Sequence, residues 1–584
     1  MTLHDITPRF TSEIERVRWL VNKRDAMHRE FSERREHLRD IADFILPHRE
    51  AISERDGNRG AKKGSKIDDS HATAALRVVA AGLMSGLTNP SEPWFELGSP
   101  SPLLDRRPRV RRWLQRSTRT VRDIFTRSNL YDSLPKVYLD ERGFGTSAMT
   151  AEERPGGNLH TFVHPIGSYR VQDDADGRAI LFYTRLDLAW DQLVAMFGMD
   201  ALPEKLKQRR AASGAASRKG GGGTTGVHQL IYPNDEFVEG ALDSKFKRFR
   251  QTFWLDGSGR GRKGGDGAGL ADAHILRESG FDEFPVVMAR AERIGNDSYG
   301  FGGGMDALPP TRQLQAVTRA ELNAINTMAR PPIEAPGEME NIGVRTLPGF
   351  VNYRPKGKGG DTMQVRSLYD IRFDVNAVEA KIANLKAEID AAFGRDLFQL
   401  IGESAAGQRT ATEVLELAAE RDAVLAPLLE SLSNDLLDPL VEIGFGIANR
   451  NGLIEEPPPE LANRPLRIRY ISVIARAQQA RKARPIQALI DFAAQSAQVF
   501  PNVLDRVDID EAFEEMADAL GSPQSMVRDR DEAERDRAER ARQLAAQAQA
   551  EQAQAAVATA RDASQVDTAA LTDFARSITN PAAA

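Results

Sequence analysis

Gly259-Arg260-Gly261-Arg262-Lys263-Gly264 fits G-x-G-x-x-G, a spacing in which glycine N–H groups can approach a pyrophosphate. That chemistry needs a helix opening directly behind the glycines. Here Gly265, Gly267 and Gly269 follow instead, with no βαβ context, so the stretch reads as a loop. No G-x-x-x-x-G-K-[ST] occurs, which removes the P-loop, and no H-E-x-x-H occurs. His160 and His164 have a spacing that suits a shared metal on a helix, but their surroundings alternate like a strand. Zero cysteines exclude a disulfide framework, a thiolate metal site and a cysteine nucleophile. The 84 carboxylates show no spacing that pairs two of them for acid–base work. The sequence therefore predicts no enzyme and no cofactor.

Basic clusters are the other candidates. Arg106, Arg107, Arg109, Arg111 and Arg112 gather at a helix start, and Arg354, Lys356 and Lys358 stand in a glycine-rich turn. The net charge of −6 argues against tight binding of DNA, because phosphate neutralisation supplies most of such affinity. The arginine cluster reads as an intersubunit or surface contact rather than a DNA reader. The lysine turn reads either as a channel mouth or protein contact, or as a solvated turn.

The elements that must carry these residues are long. At 584 residues the chain predicts several subdomains, and 41% hydrophobic with 28% charged residues is ordinary for a folded protein. No apolar run reaches eighteen residues, so no membrane span is expected. The opening residues lack a signal-peptide pattern, which predicts synthesis and retention in a cytoplasm. Asp306–Arg330 places Leu314, Val317, Ala320, Ala324 and Met328 on one helical face, with Pro309 and Pro310 expected in its first turn and Pro331-Pro332 ending it. Asn376–Leu400 repeats Val378, Ile382, Leu385, Ile389 and Phe393. Each would span roughly 37 Å. Stripes this narrow suit helices that pack side by side with their copies in a wall.

Between them, Ile333–Val375 reads as short strands and turns, a small α/β knob. After them comes a polar loop bracketed by glycines: Gly402, Glu403, Ser404, Ala405, Ala406, Gly407, Gln408 and Arg409. Thr410 and Glu413 then form a capping box that starts another long helix, interrupted by Pro427 and Pro439. Upstream, Ser12 and Glu15 cap a helix to Leu46, 69–87 is a buried helix, and Trp94-Phe95 reads as core packing. Helices are expected over 105–128 and 131–143, then strands to 294 in an antiparallel β subdomain, with 209–226 as a disordered insertion. Leu466, Ile468 and Tyr470 alternate as a strand. Residues 525–584 favour helix but offer little apolar surface, which leaves a solvated tail and an ordered barrel both open.

In this order and spacing, Asn89-Pro90-Ser91-Glu92-Pro93-Trp94-Phe95, Tyr299-Gly300-Phe301-Gly302, Asp306-Ala307-Leu308-Pro309, Pro331-Pro332 and Thr410-Ala411-Thr412-Glu413-Val414 resemble the portal (head-to-tail connector) proteins of short-tailed, podovirus-type bacteriophages. The resemblance implies a mixed α+β, mainly helical ring protomer. Its parts would be a wing at 1–304, stem helices at 305–332 and 376–400, and a clip at 333–375. A tunnel loop facing DNA at 401–409, a long wing helix at 410–452 and a crown at 453–524 would follow. It further implies a homo-oligomeric ring, a dodecamer in this family, at one capsid vertex of the virion. Double-stranded DNA would pass through without sequence specificity. Terminase large subunit would dock at the clip, tail adaptor proteins would replace it, and coat or scaffold protein would touch the wing. The reading from another class is a helical scaffold or tail adaptor without a DNA channel.

Overall fold

The computed structural model describes residues 7–52, 63–105, 107–212, 224–241, 243–255, 274–295, 297–329, 333–334, 366–367, 374–396, 426–461, 464–470 and 485–496, with 508, 512–513, 516, 533, 535–552 and 554–555. The chain divides into two units, residues 1–472 and 473–584.

In the first unit, α1 (Glu13–Phe44) opens on Ser12, whose hydroxyl accepts from the Glu15 N–H. The return contact differs from the expected box. The Glu15 carboxylate accepts from the hydroxyl and N–H of Thr11, at 2.7 and 3.1 Å, and these bonds hold it below its ordinary pKa. Met27, Phe31, Leu38 and Ile41 face the core, as their spacing requires. The small residues Ala72, Ala75 and Ala80 let α2 (His71–Leu87) pack closely, and β1 (Phe95–Gly98) follows. Trp94 is buried, stacks on Phe125 and Tyr470, and donates its indole N–H to the Tyr131 hydroxyl at 3.1 Å. The aromatic pair is core.

Instead of one helix from Asp105, there is a single turn, α3 (Pro102–Asp105), and then α4 (Pro108–Arg127) and α5 (Leu130–Phe144). The Asp105 carboxylate is used elsewhere: it accepts from the Ser99 N–H at 2.7 Å and pairs with Arg469.

Next come β2 (Thr146–Arg154), β3 (Asn158–His164), β4 (Tyr169–Asp173), β5 (Ala179–Leu188), α6 (Trp190–Phe197), α7 (Glu204–Ala212), β6 (Thr225–Pro233), β7 (Phe249–Leu255), β8 (His274–Phe281) and β9 (Val286–Arg290). They form two antiparallel sheets, ordered β3-β2-β9 and β4-β5-β6-β7-β8. Of the stretch 209–226 read as a disordered insertion, residues to Ala212 belong to α7 and those from Thr225 to β6; Leu206 of α7 packs beside Leu193 and Leu202. Residues 213–223 and 256–273, with the G-x-G-x-x-G match, lie outside the described residues.

The chain then runs through α8 (Gly303–Ala329), β10 (Ile333–Glu334), β11 (Arg366–Ser367), α9 (Val375–Phe393), α10 (Asp438–Arg450) and β12 (Arg467–Tyr470). Because α8 starts at Gly303, Pro309 and Pro310 sit in its second turn, not its first. The expected interruption before Pro439 is a π-helical segment, Ser433–Leu437. A widened turn tolerates a proline that has no N–H to give to the ladder. Strand β12 pairs antiparallel with β1, which ties residues 467–470 into the first unit. One core joins α1, α2, α5, β2 and β9 to α8, α9 and α10. The described part of the second unit is helical at 485–496 and 535–552, and Leu489, Phe492 and Leu544 are exposed.

Candidate functional site

The two long helices fold back on each other. A Cβ added at Gly303, the first residue of α8, would lie 2.6 Å from the Ala392 carbonyl and 3.3 Å from the Phe393 ring, at the end of α9. The pair is therefore antiparallel, and β10 pairs with β11 beyond its far end. Asp374 caps α9 by accepting from the Ala377 N–H, and Gly394 ends it in the left-handed region at φ 70°.

Burial along the pair is one-sided. In α8 the buried side chains stop at Gln315, and in α9 they begin at Leu385 and continue to Ile389 and Phe393. Of the residues read as a wall, Leu314, Leu385 and Ile389 are buried in the core, and Val317 and Ile382 pack against it half-buried. Val378 is half-buried nearer the far end. Beyond them Leu322, Ile325 and Met328 are 52%, 49% and 48% exposed, with Val375 on the other helix. About 21 Å of α8 past Gln315 thus carries apolar side chains that the other described residues leave exposed.

The near end is rooted by polar contacts that no hydrophobic periodicity signals. The buried Gln315 side chain accepts from the N–H groups of Asp68 and Asp69 at 2.6 and 2.8 Å and donates to the Asp69 carbonyl at 2.8 Å. Each group left unpaired there would cost about 1–3 kcal/mol. Lys386 pairs with Asp69 at 2.9 Å, His71 Nε2 lies 3.0 Å from Asp390, and Arg319 pairs with Asp68 at 2.7 Å. Partial burial pushes the Asp69 carboxyl up, but the Lys386 ammonium and the His71 N–H outweigh it and hold the group below its ordinary pKa.

A glycine crossing fixes the same end. Gly143 and Gly145 at the close of α5 meet Gly300, Gly302 and Gly304 ahead of and within α8, backbone against backbone. Gly145 lies at φ 79°, its carbonyl accepts from the Ala291 N–H at 3.0 Å, and the Gly300 N–H donates to the Thr146 hydroxyl at 2.7 Å. The word Tyr299-Gly300-Phe301-Gly302 is thus a crossing with no room for a side chain at either glycine.

A second hub joins the sheets to the helix that leads into α10. Arg290, 2% exposed, pairs with Asp173 and with Asp435 of the π segment, the latter at 3.3 Å, and donates to the Gly177 carbonyl at 3.2 Å. Burial pushes the Asp173 carboxyl up to about 6 against the pull of Arg290, and raises Asp435 as well. The residues come from three distant stretches, so sequence offered no signal for them.

The metal reading of His160 and His164 does not fit the fold. Both lie on β3, four residues and roughly 13 Å apart. Burial lowers His164 to about 4, so it is neutral at pH 7. Among the described residues no group of three or more His, Asp and Glu side chains could hold a metal, and no helix is long and apolar enough to cross a membrane. The loop Gly402–Arg409, the cap at Thr410 and Glu413, and the turn residues Arg354, Lys356 and Lys358 lie outside the described residues.

Comparison with known proteins agrees with the resemblance seen in the sequence words. The chain is 32% identical over 493 residues to the portal protein of Salmonella phage epsilon15, covering 84% of this chain and 85% of that protein. It is 30% identical over 495 residues to the probable portal protein of Bordetella phage BPP-1, with coverage of 84% and 85%. Among solved structures, a chain from the neck of an empty gene transfer agent particle, computed with C6 symmetry, aligns at 14% identity and a TM-score of 0.33, over 78% of this chain and 94% of that one. A family profile described as bacteriophage head to tail connecting protein matches residues 20–527. The chain belongs to the bacteriophage head to tail connecting protein family.

Proposed function

We propose that copies of this chain assemble into a portal ring at one capsid vertex, a channel for genome packaging and ejection. The half-uncovered α8–α9 pair supports this reading: Leu322, Ile325 and Met328 form a stripe that neighbouring copies would cover, and repetition of such a head-to-tail contact by rotation closes a ring. In this reading α8 and α9 are the stem and 333–375 the clip. The loop Gly402–Arg409 faces the DNA, 453–524 is the crown, and 525–584 is either a helical barrel or a solvated tail. Arg354, Lys356 and Lys358 lie where terminase large subunit and later tail adaptors dock, and coat or scaffold protein touches the wing. The motor partner supplies ATP hydrolysis, and this chain supplies the conduit.

Negative-stain images of purified protein should show rings with a central hole. Replacing Leu322, Ile325 and Met328 together by serine should leave a protomer that melts like wild type but forms few rings. Filaments or monomers in the wild-type images would instead favour a helical scaffold or tail adaptor. Deleting Glu403–Arg409 should leave rings intact and reduce DNA packaged or retained per particle by tenfold or more. Loss of rings in that deletion would sink the placement of the loop.

A further inference from the structure

Helix α4 carries seven arginines and one carboxylate, Asp123, in a chain whose net charge is −6. Its inner face is fixed in the core: Val110, Trp113, Leu114, Val121, Ile124 and Phe125 are buried, and the Trp113 indole N–H donates to the Glu455 carbonyl at 2.8 Å. Its outer face presents Arg109, Arg112, Arg116, Arg119 and Arg127, all exposed, at steps of three, four, three and eight residues, with the exposed Asp123 standing midway in the last step. Arg116 pairs with Glu455 at 2.9 Å. Among the described residues no carboxylate stands within ion-pair distance of Arg109, Arg119 or Arg127.

We infer that this arginine face is a docking surface for the phosphate backbone of double-stranded DNA, contacted without regard to sequence. Two observations select this partner over an acidic protein. The stripe is straight and rigidly mounted. From Arg109 to Arg127 it spans about 27 Å, which faces roughly eight phosphates of one strand at 3.4 Å each. The outer face of the helix itself also lacks an apolar centre, since every exposed described residue of α4 is polar or charged. Protein interfaces close over an apolar, aromatic core, whereas DNA contacts are polar and positively charged. Arginine suits the task because its planar fork stays charged and bonds phosphate oxygens in pairs.

The test uses full-length protein and a fluorescent 40-base-pair duplex closed at both ends by hairpins, so that threading by an open end is impossible. Its affinity is followed by anisotropy from 50 to 200 mM salt. Wild type should bind at 50 mM salt and weaken steeply as salt rises. The triple variant R109Q/R119Q/R127Q breaks no ion pair among the described residues and should keep the wild-type melting temperature. It should bind at least tenfold more weakly at 50 mM salt, with the slope of log K against log salt reduced by up to about 2.7, at 0.9 per lost phosphate contact. The corresponding arginine-to-lysine triple should restore most of the slope. Equal binding by wild type and the glutamine triple would overturn the inference, as would no binding of the capped duplex. Displacement of the duplex by polyglutamate at equal charge would also overturn it, by assigning the face to an acidic protein. Ring images of the same samples report on the portal reading separately.

Discussion

Gly304→Ala is expected to yield little folded protein, while Gly86→Ala raises the melting temperature. The two changes are chemically identical and differ only in what the new methyl meets. At Gly304 it would lie 1.9 Å from the Gly143 carbonyl oxygen and 2.8 Å from its carbon, both backbone atoms. No rotamer change relieves such a clash, so α8 must separate from α5. Separation is resisted because Ala307, Leu308, Thr311, Leu314 and Gln315 are buried one to three turns further on. The cost should be roughly 4 kcal/mol or more, in the range reserved for overpacked cores. At Gly86 nothing lies within 4 Å of the added methyl, and the residue is in helix α2. Alanine there should gain about 0.5–1 kcal/mol from reduced freedom of the unfolded chain. Soluble yield and thermal melts of both variants in one buffer decide the matter. A Gly304→Ala protein that melts with wild type would mean that α8 and α5 do not cross as described.

That junction also shows where sequence reading stops. Periodicity placed α1 and α8 within a few residues, because burial of one face repeats locally and leaves a local trace. But it ran α9 to Leu400, seven residues past Phe393, where Gly394 takes φ 70°, and it read 274–294 as one stretch that the fold splits between two sheets. It singled out Leu314, Leu385 and Ile389, which are buried, yet it treated Val317, Val378 and Met328 as members of the same continuous wall. The structure divides that stripe into a rooted part and an uncovered part, a distinction that depends on where α2 and α5 end in space. Gln315 stands beside Leu314 on the buried side of α8, and nothing in the pattern marks a glutamine that is needed by the backbone of residues 68 and 69. Asp105 shows the same limit: it reads as a helix start, but its carboxylate is engaged by Ser99 and by Arg469, 364 residues away. The arginines of α4 were legible as a cluster at 106–112. Their extension to Arg127 along one exposed face required the helix to be docked.

Arg290→Met should destabilise the first unit by about 3–5 kcal/mol near neutral pH, and by less at pH 5. Methionine fills comparable space, so the loss reflects charge left behind rather than a cavity. Asp173, 6% exposed, and Asp435, in the π segment, would both remain, and among the described residues Arg293, 3.2 Å from Asp173, is the cation that would still face them. The direction with pH follows from the proton. In the wild type, burial raises Asp173 to about 6, above its ordinary value near 4, so the folded state binds this proton more tightly than the unfolded chain. Stability from that difference is complete below about pH 4 and is lost as pH rises through about 6. Without Arg290 the main force lowering that carboxyl is gone, its folded pKa climbs further, and the loss continues above pH 6. The gap between wild type and variant should therefore widen from pH 5 to pH 8. Urea midpoints at pH 5, 6.5 and 8 measure it, and adding Asp173→Asn to the Arg290→Met background should remove most of the widening. A gap independent of pH would mean that the carboxylates are solvated, and that Arg290 does not join β4 and β9 to the π segment through buried charge.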